Sequence, residues 1–212
     1  MASELNLAIL PKPQQLLWSE LQATPSYFVL YGGTAIALQI GHRQSEDFDF
    51  FAFRAIDPQE LLSEIPYLQD ATVTQSATNT LNVTVERNGS IKISFFGLPK
   101  LGHVKEPTVT SNGIKIASLV DLAGTKVLTV QHRAEIRDYV DIDVLLTKGG
   151  IMLSEALAAA KMIYGKQFNP QITLKALSYF EDSNLHALPQ DTKERLLKAV
   201  LSVDIDRLPN LL

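Results

Sequence analysis

Charged and aromatic residues alternate with a period of two at Asp47-Phe48-Asp49-Phe50-Phe51, and this period predicts a strand. Successive strand side chains point to opposite faces, so Asp47 and Asp49 share one face while Phe48 and Phe50 take the other. Ahead of it, the run Tyr27-Phe28-Val29-Leu30-Tyr31 predicts a buried strand. Gly32-Gly33 then turns the chain, and Thr34 is placed to cap a helix over residues 35–40 that Gly41 ends. Further upstream, Leu16, Leu17, Trp18 and Leu21 give residues 14–21 helical spacing, and Pro11 and Pro13 predict an irregular lead-in.

Downstream, Asp57-Pro58 opens a helix carrying Leu61, Leu62 and Ile65, with Pro66 beyond it. Three strand-like runs follow at 72–75, 80–86 and 90–96. Between the last two, Arg87-Asn88-Gly89 marks a hairpin, because Asn-Gly supplies the positive φ angles such turns need. Residues 99–107, with two prolines and Gly102, read as a loop, and residues 113–116 as one more short strand. From Ala117 the pattern becomes helical, over 118–130, 135–146, 154–164, 173–180 and 192–200. The expected fold class is therefore α+β. A lobe of mixed, mostly antiparallel sheet with helices spans residues 1–114, and an all-helical lobe spans residues 115–212.

Composition adds limits to this picture. The chain has 212 residues, 46% of them apolar and 20% charged, enough for a core without covalent staples. It has no cysteine, which removes disulfides, thiolate nucleophiles and zinc–sulfur sites. No apolar run is long enough to span a bilayer, so the expected location is cytoplasmic, with no membrane partner. The net charge of −4 argues against a broad phosphate-neutralising footprint. Residues 1–114 hold 7 Lys/Arg against 11 Asp/Glu, and residues 115–212 hold 12 of each. The acidic excess lies with the aspartate strand, which leaves room for a local basic lip on the second lobe.

The sharpest chemistry is the aspartate pair. Two carboxylates about 6–7 Å apart on one strand face can splay around a divalent cation; the competing expectation is a solvated sheet edge. The Gly32-Gly33 turn at a helix start offers backbone amides to an anion. Arg43 and Ser45 are either a phosphate contact or a loop anchor through Glu46. Spacing alone makes Lys126 an exposed lysine and Arg137–Asp141 an ordinary helix pair. His42, His103, His132 and His186 lack metal-ligand spacing.

In this order, Gly32-Gly33-Thr34, Gly41-His42-Arg43, Ser45 and Asp47-Phe48-Asp49-Phe50-Phe51 resemble the nucleotidyltransferase superfamily, and more narrowly the AbiEii-type toxin family. Lys126, Arg137-Asp138 and Asp141 also match, as do residues 91–96 and Tyr179-Phe180-Glu181-Asp182. The resemblance spans about residues 30–182 and implies a nucleotidyltransferase-like fold whose helical lobe completes the active-site cleft. It implies a magnesium (or manganese) ion on Asp47 and Asp49, with a nucleoside triphosphate (NTP) at Gly32, Gly33, Thr34, Arg43 and Ser45. Lys126 would neutralise the triphosphate, and Asp138 or Asp141 would orient that lysine or the acceptor. The implied reaction moves a nucleoside monophosphate to a hydroxyl of RNA, such as a tRNA 3′ end, or of a protein. A toxin of this kind implies an antitoxin protein as partner. Many such enzymes carry a third carboxylate on a neighbouring strand; here Ser94 stands at that place, and Glu86 would substitute only if the hairpin register brought it round. The serine keeps open a degenerate module that binds a nucleotide or partner without turnover. A structural metal site with no nucleotide is a third reading.

Overall fold

The computed structural model describes residues 5–211, and in it the chain forms two compact units. One comprises residues 1–101 and 107–117; the other comprises residues 102–106 and 118–212.

The first unit is built on a seven-stranded mixed sheet. Helix α1 (Lys12–Trp18) precedes β1 (Phe28–Tyr31), α2 (Gly32–Ile40) and β2 (Phe48–Ala52). Then come α3 (Pro58–Glu64), β3 (Thr72–Ala77), β4 (Thr80–Glu86), β5 (Ser90–Gly97), β6 (Thr108–Val109) and β7 (Lys115–Ile116). The strand order is β3-β4-β5-β2-β1-β7-β6. β2 lies antiparallel to β1 and parallel to β5, so the aspartate strand is central. The 87–89 hairpin forms between β4 and β5, with Asn88 at φ 58°. β6 lies just beyond the loop assigned from sequence, and two residues are too few for a period to register.

β2 alternates as its sequence requires: Phe48, Phe50 and Ala52 are buried, while Asp49 and Phe51 are half-exposed. On the buried face, Phe50 stacks on Phe95 at 5.5 Å, and Phe28 meets Phe95 edge-on at 5.1 Å. Such offset and edge-to-face rings add to simple area burial. Truncating Phe50 would leave a cavity costing about 3–5 kcal/mol. Asp57 caps α3 by accepting from the Gln59 amide at 2.9 Å, as the Asp-Pro step predicts.

The second unit is helical: α4 (Leu119–Thr129), α5 (Ile136–Thr147), α6 (Leu153–Tyr164), α7 (Pro170–Ala176) and α8 (Gln190–Leu201). α4 and α6 approach closely at Gly124, where a Cβ would stand 3.0 Å from both the Ala159 Cβ and the Ala160 nitrogen. Small residues on both helices permit that contact. Arg195 of α8 forks onto Asp143 of α5 at 2.8 and 2.7 Å, a bidentate pin between the two helices. The 102–106 segment joins this unit because Asp121, fully buried, accepts from the Val104 and Lys105 amides at 2.6 and 3.1 Å. A carboxylate in the first turn of α4 thus takes up two loop amides that would otherwise be unpaired. Among the described residues no helix is long and apolar enough to cross a membrane.

Candidate active site

In the first unit, Asp49 pairs with Tyr31 on one side and Ser94 on the other. Tyr31 is the last residue before α2, so the β1–β2 ladder delivers Asp49 to the start of that helix. The contact is close: a Cβ on Gly32 would overlap the Asp49 carboxylate oxygen. Gly32 also sits at φ +73°, where an L side chain is strained. Two independent requirements therefore select glycine at 32. The positive end of the α2 dipole favours the carboxylate beside it.

The helix start differs from the expectation in one respect. α2 begins at Gly32 with Tyr31 in the N-cap position, so Thr34 lies inside the helix and does not cap it. Thr34 is buried, and its hydroxyl donates to the Asp47 carbonyl oxygen and lies 2.8 Å from the Ser45 hydroxyl. Ser45 is itself buried. This pair ties the chain just before β2 to the helix and fixes the backbone that carries Asp47, which stands one residue ahead of the strand. Arg43 donates to the Gln44 carbonyl at 2.9 Å.

Beyond Asp49 the register runs Ser94, Asn82, Gln75 across β5, β4 and β3. No acid occupies the row. Glu86 pairs with Ser90, four residues along the strand from Asn82, or roughly 13 Å away. It does not come round to the aspartates. Among the described residues no group of three or more acids and histidines is arranged to hold a metal. Two carboxylates still suit a magnesium ion, which is commonly held by one or two carboxylates with waters and substrate phosphates completing its shell.

The same face carries an aromatic strip: Tyr31 stacks on Phe51 at 4.5 Å, and Phe51 meets Phe96 edge-on at 5.6 Å. Asp49 thus sits beside one buried ring and two half-buried ones, rather than on an open polar edge.

In the second unit, Lys126 is buried, contrary to the exposed position that spacing predicts. Its ammonium contacts Asp138 at 2.6 Å and Asp141 at 2.7 Å, and both carboxylates are fully buried. Arg137, expected from spacing to pair with Asp141, contacts Glu135 at 2.7 Å. Helix propensity and i,i+4 geometry lose here to the need to compensate a buried charge. Arg133, which sequence reasoning missed, grips Asp138 at 2.7 and 3.1 Å. It precedes α5 and stands five residues from Asp138, a spacing with no helical signature. Burial pushes the Asp138 carboxyl up, but the Arg133 hydrogen bonds and the Lys126 charge outweigh it and hold it below the ordinary carboxylate range.

A model of the family described as "Nucleotidyl transferase AbiEii toxin, Type IV TA system" matches residues 15–211. The chain belongs to this family. It is 32% identical over 159 residues to an uncharacterized protein of Aquifex aeolicus, covering 74% of this chain and 75% of that one. In fold, this AbiEii family member is similar to an H. pylori protein assigned as a nucleotidyltransferase. That match has a TM-score of 0.55 and 21% identity, covering 90% of this chain and 91% of the other. It is also similar to MenT4, a nucleotidyltransferase toxin from Mycobacterium tuberculosis, with TM-score 0.54, 16% identity, and 90% and 81% covered. The α+β nucleotidyltransferase fold and membership of a nucleotidyltransferase toxin family are thereby established.

Proposed function

We propose that this nucleotidyltransferase is metal-dependent and moves a nucleoside monophosphate from an NTP to a hydroxyl acceptor, with Asp47 and Asp49 as its metal ligands. The observation that carries the reading is the Asp49 carboxylate held against Gly32 at the start of α2. An acid is thereby fixed where helix amides also favour anions, so a cation between carboxylate and phosphate is needed to reconcile the two. A divalent ion, when bound, supplies positive charge to the phosphates and to the departing pyrophosphate.

This chain's own residues have separable parts. The backbone at Gly32, Gly33 and Thr34 would hold phosphate oxygens, while Thr34, itself bonded to Ser45, positions Asp47 through its carbonyl. Arg43, in the segment between α2 and β2, would be a further phosphate partner. In the helical unit, Lys126 donates a hydrogen bond to Asp138 and is ion-paired with Asp141. In the reaction the acceptor oxygen bonds to the α-phosphorus. The bond to the bridging oxygen then breaks, and its electron pair leaves on pyrophosphate. With serine at 94, the hydroxyl proton passes to water.

The test incubates the protein with triphosphate labelled on the α-phosphate, magnesium, and total RNA or protein. Metal-dependent label transfer that Asp47→Asn removes is the expected outcome; transfer that survives the substitution overturns it. Ser94 opposite Asp49 favours one second reading, a nucleotide-binding module without turnover. It expects a melting temperature raised by triphosphate, no transfer, and a biological effect indifferent to Asp47→Asn. Growth arrest on expression, relieved by a cognate antitoxin, is the cellular outcome expected of the toxin reading.

A further inference from the structure

Helix α1 buries one stripe, and that stripe holds a residue its pattern does not call for. Gln14, Leu17 and Trp18 stand at i, i+3 and i+4 and are the buried residues of the helix. Leu17 is fully buried and Trp18 nearly so, yet Gln14 lies among them with only 3% of its surface exposed. One end of its amide is used: Nε2 donates to the Glu46 carbonyl at 2.8 Å. The other end is not. Gln14 Oε1 is buried and has no hydrogen-bond partner among the described residues. A buried acceptor without a donor destabilises a fold, and an unbranched apolar side chain of similar length would remove that penalty. Packing alone therefore favours methionine at 14, and the glutamine is explained by what its donor holds.

The donor holds residue 46, which immediately precedes Asp47. The Thr34 hydroxyl donates to the next carbonyl, that of Asp47 itself. Two successive carbonyls ahead of β2 are thus gripped by side chains from two helices, α1 and α2. Residues 41–47 belong to no helix or strand, so no ladder fixes their backbone and side-chain bonds take over that task. α1 is a firm support for it. The Trp18 ring lies 6.4 Å from that of Phe48, the first residue of β2, and the Trp18 carbonyl accepts from the Asn112 amide at 2.9 Å.

We propose that Gln14 is a positioning residue for the metal site, fixing the backbone at Glu46 so that the Asp47 carboxylate can share a divalent cation with Asp49. The proposal rests on the transferase reading above and deepens it. Gln14 touches neither metal nor substrate, and it lies one residue ahead of the segment that the family model matches. Groups that orient metal ligands from behind alter metal affinity or activity by about 10–100-fold when removed.

The test measures two quantities on the full chain without triphosphate: the Kd for Mn²⁺, from the paramagnetic resonance of the free ion, and the melting temperature. Gln14→Met is expected to raise the Kd about tenfold while the melting temperature holds or rises. A merely structural glutamine would not move the two readouts apart. Gln14→Asn, whose amide sits one methylene closer to the backbone, is expected to weaken Mn²⁺ binding to a similar extent. In the transfer assay, the magnesium concentration giving half the maximal rate should rise about tenfold in Gln14→Met, with the rate recovering at saturating magnesium. Mn²⁺ affinity unchanged in both glutamine variants but lost in Asp47→Asn overturns this proposal and leaves the metal reading standing. A melting temperature that falls together with Mn²⁺ affinity in Gln14→Met also overturns it, and makes the residue structural. Affinity untouched by Asp47→Asn overturns the metal reading itself, and this proposal with it.

Discussion

The two acidic clusters of this protein solve opposite electrostatic problems. On the sheet, Asp49 is half-exposed at a helix N-terminus, and Asp47 has no salt bridge among the described residues. In the helical unit, Asp138 and Asp141 are fully buried and share one lysine, with Arg133 added on Asp138. Burying carboxylates demands fixed partners, because their hydration is lost and only close opposite charge offsets it. Partial exposure leaves capacity for a partner that comes and goes. A pair of acids buried against protein cations is thus a permanent part of the fold, whereas a half-exposed pair keeps a solvent-facing side open to an exchangeable ion.

The largest effect expected from this contrast is on stability. Lys126→Met removes the ammonium that two buried carboxylates share and is expected to cost about 3–5 kcal/mol in urea unfolding. A loss under 1 kcal/mol, roughly the worth of a surface pair, would erase the distinction between the two clusters. Next, Asp49→Asn is expected to lower transfer by roughly 10²–10³-fold, the scale of losing one electrostatic stabiliser of the transition state. Its unfolding free energy should hold, since the carboxylate is half-exposed rather than buried; a large drop would make Asp49 structural. A smaller effect follows from Gly32→Ala, which forces an L residue into a left-handed conformation at about 1–2 kcal/mol. The new methyl also displaces the Asp49 carboxylate, so transfer should fall with stability; melting and label transfer measured on one preparation would show both.

The smallest effect is on pH dependence. The folded Asp138 carboxyl lies below its unfolded value of about 3.9. Its contribution is therefore complete above that value and is lost as pH falls through the depressed folded one. Acid unfolding of the wild type should steepen below about pH 4, and Asp138→Asn should remove that part of the slope. An identical acid limb in both proteins would detach Asp138 from the cluster's energetics.

Much of this architecture was readable in residue order. The alternation at 47–51 specified β2 and its faces, and Asn88-Gly89 specified the hairpin. The Gly32-Gly33 step located the start of α2, although the cap expected of Thr34 went instead to a tertiary bond with Asp47 and Ser45. Lys126 was misread by spacing because its helix face is polar only until Asp138 and Asp141 arrive from another helix. Arg133 gave no signal at all, since it acts from a turn.

By itself, the sequence determined which strand carries Asp49, how the faces of that strand alternate and where the glycine bend lies, because backbone periodicity and turn chemistry are local. Only the tertiary structure decided that Ser94 stands beside Asp49, that Glu86 does not, and that Lys126 is buried between two carboxylates. Register between strands and charge pairing between helices depend on segments far apart in the chain, and no local pattern encodes their meeting.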